Sequence, residues 1–223
     1  RCNRGKTSVV IDFRTAEGQQ QVRDLVADAD ILIENFKVGG LAKYGLDYDS
    51  LAALNPRLIY CSISGYGQTG QRAGMAGHDL NYLAVSGLLA QSCGTAGAPV
   101  VPPTQIADIG GGSLPAVTNI LLAVLKRQKT GQGCHLDIAM SDAMFTFGLF
   151  PHAEYAAGKQ VPEYGQGLLT GGSPRYRLYP ARDGRLVAVA ALEEKFWQRL
   201  CDLLEIPRAL RADGAAPEER RTL

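Results

Sequence analysis

The apolar positions change period along the chain, and those changes lay out its elements. Residues 8–13, 31–36 and 58–64 are short runs rich in Val and Ile, bounded by polar residues, and read as strands. Between the first two, Val22, Leu25 and Val26 recur at helical spacing behind Thr15, a good N-cap. Short helical turns through residues 51–54, stopped by Pro56, separate the second run from the third. Strands alternating with helices in this way predict a parallel α/β sheet.

Beyond a glycine-rich loop over residues 65–77 the period becomes helical. One helix is expected from about residue 79 to residue 91. A second ends near Gln128 and opens either at Asp108 or at Ser113, with Pro115 in its first turn. Lys126, Arg127 and Lys129, followed by Gly131, suit its C-terminus. Residues 134–139 read as a strand, and Ser141 or Asp142 as the cap of a helix towards residue 156. Strands at 176–179 and 186–190 then flank Arg182-Asp183-Gly184-Arg185, a hairpin turn, and an amphipathic helix covers 194–204. The expected organisation is a large α/β domain over residues 1–157, a linker over 158–174, and the start of a smaller α+β domain over 175–223.

A chain of 223 residues with 46% apolar and 20% charged residues can bury a sizeable core, as soluble globular proteins do. Its net charge of +1 makes no electrostatic case for nucleic acid or an anionic membrane. No membrane span is expected, because the most apolar stretch, residues 114–125, contains Pro115, Thr118 and Asn119. The five cysteines are far apart and form no CxxC pair, which points to a reducing, cytoplasmic setting and away from a metal site.

Three places can carry chemistry. His78 precedes Asp79, which reads as the cap of the next helix; the positive end of a helix favours a neutral imidazole, hence a base. Taken alone, a loop histidine is more often bonded to backbone. Asp108 stands ahead of Gly110, Gly111 and Gly112. An aspartate cap is common, but glycines in a helical turn cost about 1 kcal/mol each relative to alanine. Close approach by a ligand or another backbone would compensate, and exposed N–H groups there suit a developing oxyanion. Glu193 opens the last helix, where a glutamate ordinarily just offsets the helix dipole. Gly65-Tyr66-Gly67-Gln68-Thr69-Gly70 matches GxGxxG, but the loop continues to Gly77 instead of opening a helix, so the match is accidental for a dinucleotide. His135 and His152 have no metal-like spacing.

Three strings, Gly77-His78-Asp79-Leu80-Asn81-Tyr82, Ala107-Asp108-Ile109-Gly110-Gly111-Gly112-Ser113 and Ala190-Ala191-Leu192-Glu193-Glu194-Lys195-Phe196, closely resemble the catalytic segments of the α-methylacyl-CoA racemases. Those enzymes belong to the CaiB/BaiF, or family III CoA-transferase, superfamily. The resemblance runs from Asn3 to about Leu204. It implies a Rossmann-like large domain, a smaller α+β domain, an interlocked homodimer, and a chain that is a fragment lacking both ends. It further implies that His78 and Asp108 move a proton on opposite faces of a 2-methylacyl-CoA, with Glu193 supporting the histidine. Contacts to CoA would fall on Arg14, Lys37, Lys43, Gly77, His78, Asp79 and Tyr82; CoA is part of the acyl-CoA substrate, and no prosthetic group is implied. Cations at strand ends suit phosphates. Two alternatives stay open: a family III CoA-transferase, whose aspartate carries the acyl group as a mixed anhydride, and an inactive CoA-binding or dimerisation fragment.

Overall fold

The computed structural model describes residues 3–92, 98–162 and 165–211. They fall within two compact units, Arg1–Ser86 with Pro103–Phe147, and Gly87–Pro102 with Gly148–Leu223. In the first unit β1 (Ile31–Glu34), β2 (Ile59–Ser64) and β3 (Cys134–Ala139) form a parallel sheet in that order. Alternate residues of a strand face opposite ways. Ile59 and Cys61 therefore pack with Ile138 against Ala116, Ile120 and Ala123 of α5 (Leu114–Thr130). On the other side, Tyr60 and the preceding Leu58 pack with Val26 of α1 (Ala16–Ala27) and Leu51 of α2 (Tyr48–Leu54). Burial on both faces explains why β2 carries no charged residue and buries Ile59, Tyr60, Cys61 and Ser62 in succession. The expected α/β architecture holds.

Polar side chains lock the amino ends of the strands. The buried Arg127, near the end of α5, donates through one terminal nitrogen to the carbonyls of Asp30 (3.0 Å) and Arg57 (2.9 Å). Its other nitrogen reaches the Asp30 carboxylate at 2.7 Å. One guanidinium thus joins α5 to the residues just ahead of β1 and β2. Asn55 plays a similar part for α1, donating to the carbonyls of Val26 and Ala29 at 2.9 Å each. Thr15 caps α1 as expected, accepting from the Gly18 N–H at 3.0 Å.

Four expectations are corrected. No strand forms over residues 8–13: Val10 is 98% exposed, and the sheet ends at β1. Strand propensity reports packing, and this run finds no ladder partner among the described residues; Ile11 and Phe13 are half-buried, Phe13 edge-on to Phe36 and Tyr44. The helix expected over 79–91 is two, α3 (Asp79–Val85) and α4 (Leu88–Gln91), broken where Gly87 is left-handed. The helix towards residue 156 likewise divides into α6 (Met140–Phe147) and α7 (Leu149–Ala156). α6 begins directly at the end of β3, and the Ser141 N–H goes to the Gly65 carbonyl at 3.0 Å.

The fourth concerns the start of α5. A π-helical turn, Ala107–Ser113, runs without a break into it, and Ser113 is helical rather than a cap. Pro115 has no N–H to give the Gly111 carbonyl four residues back, so the ordinary α-helical bond cannot form there. With this turn the helical run Ala107–Thr130 reaches 24 residues at hydropathy 1.4, long and apolar enough to cross a membrane by those two measures. In this fold the run is the helix that covers the sheet, and it carries the buried Arg127.

In the second unit β4 (Tyr176–Pro180) and β5 (Leu186–Ala190) form the expected antiparallel hairpin. Trp197 and Cys201 of α8 (Glu194–Leu203) are buried with Ile206. Arg175 lies 5.4 Å from the centre of the Trp197 ring and pairs with Glu194 at 2.7 Å.

Replacing Arg127 with Met leaves two carbonyls without their donor and should lower the unfolding free energy by about 2–4 kcal/mol in urea. Asp30→Asn should lose under ~1 kcal/mol, because the Asp30 side chain is 76% exposed and both backbone acceptors remain.

Candidate active site

The carboxyl ends of the three strands open into a cleft of about 880 Å³, where parallel α/β sheets bind ligands. Its wall takes residues 35–38 after β1, Ile63, Ser64 and Gly65 at the end of β2, and Met140 after β3. Residues 73–77, the start of α3, and Asp108 and Ser113 of the π turn complete it. His78 and Asp108, the two residues singled out for proton transfer, line this one cleft.

His78 itself is the N-cap of α3 and Asp79 is the first helical residue, so the helix starts one position earlier than the sequence reading had it. The His78 backbone N–H donates to Asn81 Oδ1 at 3.0 Å, and its carbonyl accepts the Asn81 N–H at 2.8 Å. These bonds hold the backbone and leave the imidazole exposed at the cleft. Asp79 reaches the other way: one carboxylate oxygen accepts the N–H groups of Ala107 (2.6 Å) and Asp108 (3.0 Å). That bond pair ties α3 to the π turn and supplies acceptors for its first donors, the work of a cap done from another element.

Burial is the main influence raising the Asp108 carboxyl above its ordinary pKa, and the Asp79 charge adds to it, while His78 opposes. The glycines that follow Asp108 have a packing cause. A Cβ at Gly110 would fall 2.7 Å from the Phe147 ring, one at Gly111 would collide with the Met140 carbonyl, and one at Gly112 would lie 3.1 Å from Met140 Cγ. Close approach was expected here, and the group that approaches is α6.

Tyr82 is 4% exposed, and its hydroxyl donates to the Gly77 carbonyl at 2.5 Å. Side chains at Gly65 or Gly77 would enter its ring. Two glycines of the 65–77 loop thus make room for Tyr82, and Gly77 and Tyr82 together shape the wall of the cleft.

A second cleft, of about 580 Å³, shares Phe36 and Lys37 with the first and is also lined by Arg14 and Lys43. The three cations proposed for phosphate contact are therefore gathered in one place. Arg14 grips Asp12 at 2.8 and 2.9 Å, but this pair is exposed and weak, so an anion can compete for it. Lys43 lies 4.8 Å from the centre of the Tyr44 ring.

Glu193 belongs to the second unit as the N-cap of α8, where its carbonyl accepts the N–H groups of Phe196 and Trp197. Its neighbour Glu194 is engaged by Gln198 and Arg175, which hold that carboxyl below the ordinary carboxylate range. His135 is stacked on Tyr48 and bonded to Ser62 at 2.9 Å, a packing role. The sequence reading missed the carboxylate bonds of Asp79 and the part of Met140 in seating the π turn. No local signal marks either, since both are contacts between distant segments.

A parallel α/β unit with a His/Asp cleft at its strand ends and a cationic cleft beside it defines the class. The chain belongs to CoA-transferase family III, which matches residues 1–222. It is 40% identical over 204 residues to a succinate–glutarate CoA-transferase of Agrobacterium fabrum, covering 92% of this chain and 50% of that protein. It is 36% identical over 197 residues to an alpha-methylacyl-CoA racemase of Mus musculus, covering 88% and 52%. A crystal structure of a CaiB/BaiF family protein from Brucella suis superposes with a TM-score of 0.80 at 38% identity, covering 99% of this chain and 58% of that one. The chain thus spans about half the length of these curated relatives.

Asp108 generates a stability prediction. A raised carboxyl means the folded state binds its proton more tightly, so ionising it destabilises the fold. The penalty is absent below the unfolded value of about 3.9, grows between it and the raised folded value, and is full above that. Asp108→Asn should therefore raise the urea midpoint at pH 7, with the gain shrinking towards pH 4.

Proposed function

We propose that the protein interconverts the epimers of 2-methylacyl-CoA thioesters by proton transfer at the α-carbon. The observation that carries this reading is the placing of His78 and Asp108 in the wall of one cleft, with Asp108 inclined to hold a proton. In one direction His78 takes the α-proton, and the C–H bonding pair passes into an enolate. Asp108 then delivers its proton to the opposite face of the same carbon. The reverse direction exchanges the two roles. Each group would contribute about 10²–10⁴-fold. Arg14, Lys37 and Lys43 would receive the CoA phosphates, and the apolar side chains of Ile63, Met75 and Met140 suit an acyl chain.

The likeness to the Agrobacterium enzyme supports a second reading, transfer of CoA between carboxylic acids. There the Asp108 carboxylate would attack the thioester carbonyl and expel the CoA thiolate, leaving a mixed anhydride. That chemistry needs the aspartate and gives His78 no obligatory part.

Incubation with a 2-methylacyl-CoA in deuterium oxide separates the two. The epimerase reading expects α-deuteration with inversion in the wild type, lowered at least ~10²-fold by His78→Ala and by Asp108→Ala. Acyl transfer to an added acid, dependent on Asp108 alone and without α-exchange, would establish the transferase instead. Neither activity would mean the chain does not catalyse either reaction by itself.

A further inference from the structure

Asp79 opens α3 next to His78, and one oxygen of its carboxylate is taken up by the N–H groups of Ala107 and Asp108 at 2.6 and 3.0 Å. An acceptor occupied in this way is poorly placed to serve CoA, the role that the string around it suggested. We propose that Asp79 is a positioning residue, which holds Asp108 at the cleft through the backbone of its turn and acts on substrate only through Asp108. This rests on the reading of Asp108 as a proton-transfer group.

Three observations converge on it. The first is the pair of hydrogen bonds, which join elements 28 and 29 residues apart in the chain. The second is the nature of the turn they hold. A π-helical segment with three successive glycines has little backbone stiffness of its own, so the register of Asp108 must be set from outside. Met140, Met144 and Phe147 of α6 fix one side of the turn, and the Asp79 carboxylate fixes its opening. The third is electrostatic. The titratable groups acting with Asp108 all lie on or next to α3: His78, Asp79 and, through its hydroxyl, Tyr82. The side chains of α6 that meet the turn are apolar. Of these groups Asp79 alone adds negative charge, which favours a proton on Asp108.

The two effects can be pulled apart by substitution in the full chain. Asp79→Asn keeps an oxygen acceptor for both N–H groups and removes the charge. Asp79→Ala removes both. The Asp108 carboxyl of ¹³C-labelled protein should titrate at lower pH in Asp79→Asn than in wild type. In Asp79→Ala the Ala107 and Asp108 amides should exchange with solvent markedly faster. In the α-exchange assay Asp79→Asn should keep kcat within about tenfold, with the acidic limb of its pH profile moved down. Asp79→Ala should lose about 10²-fold in kcat, the scale of a 1 Å misplacement, at nearly unchanged KM.

A rise in KM with unchanged kcat in either variant would put Asp79 on CoA and overturn the proposal. So would an Asp108 titration and amide exchange that neither variant moves. Those last two readouts need no turnover, so a wild type without α-exchange defeats the proposed reaction while the position of Asp79 is still decided.

Discussion

At Gly111 the backbone of the π turn lies against the carbonyl of Met140, closer than any side chain would permit. Met140 is where β3 ends and α6 begins, and the turn is where Asp108 stands and α5 begins. This one backbone contact therefore seats the catalytic candidate against the end of the sheet. α5 is in turn pinned to the sheet by Ala116, Ile120 and Ala123, and to the amino ends of the strands by Arg127. Three glycines in a helical turn are unfavourable by about 1 kcal/mol each, and tight packing on α6 is what offsets them.

The same seating brings two carboxylates close together in unlike surroundings. Asp79 receives two N–H groups at the opening of a long helix, where negative charge is favoured. Asp108 is partly withdrawn from water beside that charge, and holds its proton more tightly as a result. Different environments for neighbouring carboxyls are a common way for a site to divide structural from proton-transfer duties. His78 lines the same cleft, its backbone N–H donates to the Asn81 side chain, and the residue is exposed.

Lys37 links this cleft to the cationic one beside it. The arrangement suits an elongated ligand with phosphate at one end and a reactive acyl group at the other. The segment that leaves β1 contributes to both clefts, and residues 10–14 ahead of α1 complete the cationic one.

What the sequence determined by itself is what depends on neighbours a few residues apart. The strands at 31–34, 59–64 and 134–139, the Thr15 cap, the hairpin around Gly184 and the glycine ending α5 are all legible, because period and turn chemistry are local. The strings around His78 and Asp108 stood out through their resemblance to the segments of a known family. Only the tertiary structure decided the rest. Residues 8–13 have the composition of a strand, but a strand is defined by its partner. Arg127 reads as one of several helix-end cations until its guanidinium meets Asp30, 97 residues away. Asp79 reads as a cap, and its carboxylate instead serves a turn 28 residues on. Such contacts join surfaces that exist only once the sheet has brought them together, and no periodicity in the chain encodes them.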